Sequence, residues 1–411
     1  MLSRRQLLAA ASAGLMLPLI GNGSGTTKRR LLVIYAMGGW DPTWVFTDVL
    51  GHPSFFYDQS AQMAEGQAGL PFVDSPDRPA VRTFFERFGA KTSLINGMRV
   101  PGLTHPAALK LLMTDSNAPS APDWASLIAA HASELELPLV VSSGPIFPGP
   151  HGAQITRLGQ SGQLVKLLDG TALAGSALAA EPLDVSASDA VDAYLSERAS
   201  QLPESAFTQD YTRALDRVAQ LSRLQDQLDL SIEYDEDLSV AERLRPALDC
   251  MEAGLSRVVS TAHMGFRSGW DHHSGIEQQS GHYQILFTDL VDILDSMERR
   301  PGLAGGSLLD ETAVLVCSEM GRAPIVNGAG GKDHWVFTTA MLIGSGVQGG
   351  QVIGSYNADF EGQAIDLRTG LVDAQGSLFD SGHLGATLCE LMGVPQPAQI
   401  NGKAPLEAIL S

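Results

Sequence analysis

Five short segments of the sequence carry side chains able to do metal and ester chemistry together. In Trp270-Asp271-His272-His273 a carboxylate and an imidazole stand two positions apart. In an extended segment such residues point the same way, so Asp271 and His273 can bind one cation while His272 faces elsewhere. Asp333-His334-Trp335 supplies one more imidazole, and His334 would complete a three-ligand catalytic site with a position left open. Ser318-Glu319-Met320-Gly321-Arg322 can hold a cation on Glu319 and an anionic substrate on Arg322, or simply pair those two residues with each other. Thr104-His105-Pro106 puts a hydroxyl at an expected helix start. Unpaired backbone N–H groups and the positive dipole there suit an attacking oxygen near an anion, while a plain N-cap is the competing use. Asp41 ends the turn Gly38-Gly39-Trp40-Asp41, where it is either a cation ligand or the residue that closes the turn.

Such scattered residues meet only if the chain brings them to one edge. Leu31-Leu32-Val33-Ile34-Tyr35-Ala36 is a continuous apolar run of the kind expected for a strand buried on both faces, and it ends at Gly38-Gly39. Similar runs recur at 93–96, 137–141, 313–317 and 338–343, and helix-like periodicity lies between them at 124–132 and 283–297. The alternation predicts an α/β domain with a largely parallel central sheet covered by helices. In such a sheet ligands bind at the carboxyl ends of the strands, so residues far apart in sequence share one cleft. The stretch 186–256 has helical periodicity only and is expected to be a helical insertion; the acidic cluster Glu233-Tyr234-Asp235-Glu236-Asp237 within it is expected to be a solvated loop.

Hydrophobic residues make up 44% of the chain and charged residues 18%, which fits a globular protein. A formal net charge of -19 repels a nucleic-acid backbone, and no nucleic-acid partner is expected. Near the start, Arg4-Arg5 precedes an Ala- and Leu-rich run ending near Ile20, the layout of a twin-arginine export signal over residues 1–25. That run of about 14 residues reaches only about 21 Å as a helix, short of a bilayer core. The protein is therefore expected to meet the twin-arginine export machinery and to be periplasmic or extracellular. Cys250, Cys317 and Cys389 are far apart, form no metal-ligand spacing, and are expected to be buried free thiols.

Taken in order, these segments resemble the bacterial family called domain of unknown function 1501, a branch of the alkaline phosphatase and sulfatase superfamily. The resemblance rests on the twin-arginine start, the Gly-Gly-x-Asp turn at Asp41, Thr104-His105, Trp270 to His273, Ser318 to Arg322, Asp333 to Trp335, Gly349-Gly350-Gln351-Val352-Ile353-Gly354, and the helix containing His383-Leu384-Gly385. It implies an alkaline-phosphatase-like α/β sandwich over residues 26–411 and a site for one or two divalent cations, zinc, manganese or calcium. Asp41, Thr104 and Glu319 would approach one cation, and Asp271, His273 and His334 the other. Thr104 would be the metal-activated nucleophile, with Arg322, Lys332 or His105 neutralising the anion. The implied activity is hydrolysis of a small-molecule or polymer phosphate or sulfate ester. Two departures stand out: Met320 occupies the place of a usual superfamily imidazole, and the Asp-x-His spacing at Asp271 is short. They leave a second reading open, a non-catalytic metal- or ligand-binding protein with an incomplete second site.

Overall fold

Strand β1 (Arg30–Ala36) is buried along its whole length, because it lies inside the sheet with a parallel neighbour on each side. The computed structural model describes residues 29–47, 49–158, 185–205, 238–265 and 269–411, with a few positions between 207 and 215. The paired arginines and the acidic cluster at 233–237 lie outside the described residues. After β1 come β2 (Gln62–Glu65), β3 (Pro71–Asp74), α1 (Pro79–Phe88), β4 (Thr92–Arg99), α2 (His105–Thr114), α3 (Trp124–Ala130), β5 (Leu139–Val141) and β6 (Ile155–Arg157). The expected helical stretch contains α4 (Val185–Ser200) and α5 (Val240–Glu252). The chain continues through β7 (Val258–His263), α6 (Gln279–Arg299), β8 (Thr312–Cys317), β9 (Gly321–Arg322), β10 (His334–Trp335), β11 (Phe337–Gly344), β12 (Gln351–Ile353) and α7 (Ser381–Met392).

Eight strands form the central sheet in the order β12-β4-β11-β8-β1-β7-β5-β6. Successive side chains of a strand point to opposite faces. Leu32, Ile34 and Ala36 accordingly enter one core with Phe84 and Phe85 of α1, Leu244 of α5 and Phe287 of α6. Leu31, Val33 and Tyr35 enter the other with Leu112 of α2, Ile128 of α3 and Leu388 of α7. The result is a three-layer α/β/α sandwich. All three cysteines are free and buried. Among the described residues no helix is long and apolar enough to cross a membrane.

One strand runs against the rest. β11 is antiparallel to both β4 and β8, whereas the other neighbours in the sheet are parallel. β1, β4, β7 and β8 therefore release their following residues at a single edge, and the reversed β11 receives its preceding residues there. This is how His334, which precedes β11, reaches the loops that follow the other strands.

Candidate metal centre

Three imidazoles are held in the same way. His105, the first residue of α2, lies with Nδ1 2.7 Å from Glu319 Oε1. His334 donates from Nδ1 to the Leu103 carbonyl at 2.7 Å, and His273 from Nδ1 to Asp333 Oδ1 at 3.1 Å. An oxygen acceptor at Nδ1 puts the ring proton there, so each neutral imidazole presents a bare Nε2. All three Nε2 atoms face one carboxylate. His105 Nε2 is 3.2 Å from Asp271 Oδ2, and the Nε2 atoms of His273 and His334 are 3.3 Å and 3.6 Å from Asp271 Oδ1. His273 Nε2 and His334 Nε2 lie 3.0 Å apart, two lone pairs facing each other, which only a proton or a cation relieves. His105 Nε2 is a buried atom without a hydrogen-bond partner. Donor atoms of His105, Asp271 and His334 lie within 4.8 Å of one another.

The backbone that allows this approach is glycine-rich for a steric reason. Gly38 has φ +117°, and a Cβ on it would lie 2.8 Å from the backbone nitrogens of Trp270 and Asp271. Gly331 would put a Cβ 2.1 Å from the carbonyl carbon of His273. The two loops thus bring Asp271 and His273 against the turn after β1 and the segment before His334. One side of the cluster is open, the Asp271 and His273 side chains being 41% and 48% exposed, so water or substrate can enter.

Arg322 is fully buried and donates to the carbonyls of Gly38, Gly39, Trp270 and Lys332 as well as to Asp271 Oδ1 at 2.7 Å. Burial works against the Asp271 carboxylate, but the Arg322 guanidinium, helped by His105 and His273, holds it below the usual carboxylate range. The hydrogen bond that Glu319 accepts from His105 outweighs burial and raises that imidazole above its ordinary value.

Of the other residues expected at the site, Asp41 and Lys332 stand apart from it, while Arg322, Glu319 and Thr104 adjoin it. Asp41 is completely buried and both its oxygens are taken, Oδ1 by the N–H and hydroxyl of Thr43, Oδ2 by Trp44 Nε1 and by Lys332 Nζ at 2.7 Å. It caps the short 3-10 turn Pro42–Trp44 and makes an ion pair, and it is not among the residues around Asp271. Lys332 is spent on the same pair, and Arg322 on Asp271 and backbone carbonyls, so neither side chain faces an incoming anion. Glu319 accepts from the Gly38 N–H, His105 and Ser318, so it orients an imidazole. Thr104 is exposed at the N-cap of α2, and its side chain makes no capping hydrogen bond. His272 faces away as expected, 3.2 Å from His282 in the core.

The role of Asp333 in orienting His273, and Asn327 altogether, escaped the sequence reading. Asn327 Nδ2 donates to Asp333 Oδ1, while Asn327 Oδ1 accepts the N–H groups of Ala329 and Gly331. A visible sign existed, since an asparagine before Gly328 and Gly330 in a turn, followed by an acid next to His334, matches a loop that ties itself together and then supplies an acceptor.

Residues 82–369, which include every member of this cluster, match the family described as Protein of unknown function (DUF1501). The chain belongs to that family. Asp41 lies outside the DUF1501 span. No curated protein sequence matches the chain. Solved structures resemble this DUF1501 chain at low identity. A protein in the alkaline phosphatase superfamily from Vibrio parahaemolyticus is 11% identical, with 92% of this chain and 69% of that one covered and a TM-score of 0.40. The soluble domain of lipooligosaccharide phosphoethanolamine transferase A from Neisseria meningitidis is 9% identical over 95% and 96%, with a TM-score of 0.43. The lipoteichoic acid synthase LtaP from Listeria monocytogenes is 8% identical over 93% and 76%, with a TM-score of 0.42.

Proposed function

We propose that this protein is an exported metal-dependent hydrolase of phosphate or sulfate esters with Thr104 as its nucleophile. The observation that carries the reading is the convergence of three bare Nε2 atoms on Asp271, beside a helix N-terminus whose hydroxyl is not used as a cap. The residues fit a divalent cation, because His105 Nε2 has no hydrogen-bond partner and the His273–His334 contact is repulsive without a positive charge. Bound at this cluster, a cation would offset the charge of the ester group and of the departing oxygen.

The chain's own residues do the rest. Thr104 loses its proton to water, its oxygen forms a bond to phosphorus or sulfur, and the bond to the alcohol oxygen breaks. That oxygen takes up a proton, and water then releases the acid from Thr104. The backbone N–H groups at the start of α2 suit the anionic oxygens. Arg322 keeps Asp271 ionised and in place.

Purified protein loaded with zinc or manganese should hydrolyse members of a panel of phosphate and sulfate esters. Thr104→Ala should lower kcat at least about 100-fold with bound metal and fold retained, and Thr104→Ser should keep part of the activity. Near-normal turnover by a folded, metal-loaded Thr104→Ala protein would move the attacking role to water. For export, Arg4→Lys with Arg5→Lys should leave folded protein in the cytoplasm, measured by fractionation; unchanged export would exclude the twin-arginine route.

One observation favours the non-catalytic alternative. Arg322 and Lys332, the cations expected to meet an anion, are both buried and internally committed. A metal-loaded protein that binds anionic esters without turning any over would establish that alternative.

A further inference from the structure

We infer that the centre takes a single transition-metal ion, and that His105 is one of its core ligands. The inference rests on the metal-dependent reading above and concerns which residues hold the metal and how many ions there are.

Its first support is that the second set of ligands is already spent. Asp41 has both oxygens satisfied and its charge balanced by Lys332, with both side chains fully buried. Glu319, 2% exposed, accepts from Gly38, His105 and Ser318. Asp41 has no oxygen free to join Thr104 around another cation, and on Glu319 Oε1 is taken by the Gly38 N–H and His105. Met320 is buried and offers only a thioether.

The second support is where His105 stands. Its ring arrives from the loop after β4, on the other side of the sheet's midline from Asp271, and Glu319 fixes it with Nε2 turned inward. A carboxylate on the far nitrogen sets the tautomer of a metal-binding histidine and raises its basicity. His105, Asp271 and His334 offer donor atoms within 4.8 Å of one another. Three protein ligands and an open position are the pattern of a catalytic zinc site. His273 is the most exposed ring of the three, 48% against 30% for His105 and 19% for His334, and so stands on the open side. Imidazole donors of this number favour zinc, cobalt or iron over calcium and magnesium, which prefer all-oxygen shells.

The test uses the full chain, stripped of metal and titrated with cobalt(II) and, separately, zinc(II). Bound ions are counted by elemental analysis, and the cobalt visible spectrum reports the ligand set. One ion per chain is expected. His105→Gln should change the cobalt spectrum and weaken binding more than His273→Gln does. Glu319→Gln, which keeps the side chain's size, should weaken binding about 10–100-fold by loosening His105. Asp41→Asn should loosen the pair with Lys332 and so lower affinity through His334, but the saturated protein should still hold one ion with the wild-type cobalt spectrum, because Asp41 is not a ligand. Circular dichroism identifies any variant that fails to fold, and the Glu319→Gln and His273→Gln comparison then decides. Two ions per chain, or a His105→Gln spectrum identical to wild type, overturns the inference. One ion with the expected spectra but no ester turnover overturns only the catalytic reading. Absence of any bound ion overturns both.

Discussion

At the scale of single residues, adjacent histidines take opposite roles because an extended backbone turns them to opposite sides. His273 enters the open cluster, while His272 is 3% exposed and faces the core. Gln279 Nε2 lies 3.3 Å from His272 Nδ1, so the His272 proton sits on Nε2 and points to His282. Burial pulls the His272 imidazole below its ordinary value, with Arg322 adding to the effect, as suits a neutral ring in a hydrogen-bonded chain. His272→Ala should therefore cost roughly 1–3 kcal/mol, by leaving buried partners unsatisfied, and should leave metal content at the wild-type level. Urea unfolding checks the first part and elemental analysis the second. Loss of metal with unchanged stability would assign His272 to the centre after all.

At the scale of elements, the segment before β11 is fastened at two places, and both fastenings cross the sheet edge. Lys332 N donates to the His272 carbonyl, and Lys332 Nζ bonds Asp41, Thr43 and the Phe56 carbonyl. Burial pulls the Lys332 amine below its usual range and Asp41 opposes it, so the pair acts as a strut between the turn after β1 and the loop that carries His334. Removing one partner of a buried pair leaves a lone buried charge, typically costing about 3–5 kcal/mol. Lys332→Met should destabilise by that order and weaken metal binding through His334, and Asp41→Asn added to it should recover part of the stability. A single Lys332→Met variant as stable as wild type would show that the strut carries nothing. The sequence made the strands themselves legible, because runs such as 31–36 and 313–317 are apolar at every position. Strand direction was hidden, since an apolar run reads the same in either sense and β11 is recognised as reversed only from its register with β4 and β8. That Asp271, His273 and His334 come together was legible from residue type and spacing. The use of Asp41 was not, because its partner Lys332 is remote in sequence and nothing local distinguishes a turn-closing aspartate from a ligand.

At the scale of the whole molecule, two buried groups in opposite helix layers respond to acid in opposite directions. His282 belongs to α6, and burial, with His272 and His263 adding, lowers it to about 4. Asp123 caps α3 on the other face of the sheet, and burial raises it to about 6 despite hydrogen bonds from Ser126 and Phe147. Between about 4 and 6.5 the unfolded chain holds a proton on His282 that the folded protein lacks, so this group makes stability fall as pH falls. Between the ordinary aspartate value near 3.9 and about 6 the folded protein holds a proton on Asp123 that the unfolded chain lacks, so this group makes stability rise as pH falls. Each shift corresponds to about 3 kcal/mol, and over most of the window the two nearly cancel. Wild-type stability contributed by this pair should thus stay nearly level from pH 6 to 4.5 in urea titrations. Asp123→Asn keeps a competent helix cap and should expose the His282 slope, losing stability steadily over that range. His282→Gln should do the reverse and gain stability on acidification. Below pH 4 the balance ends. Burial works against Asp58, but hydrogen bonds from Ser60 and Arg78 pull it down to about 2, and its contribution disappears as pH falls from the ordinary aspartate value toward 2. Parallel slopes in the two variants would show that the layers do not oppose each other in this way.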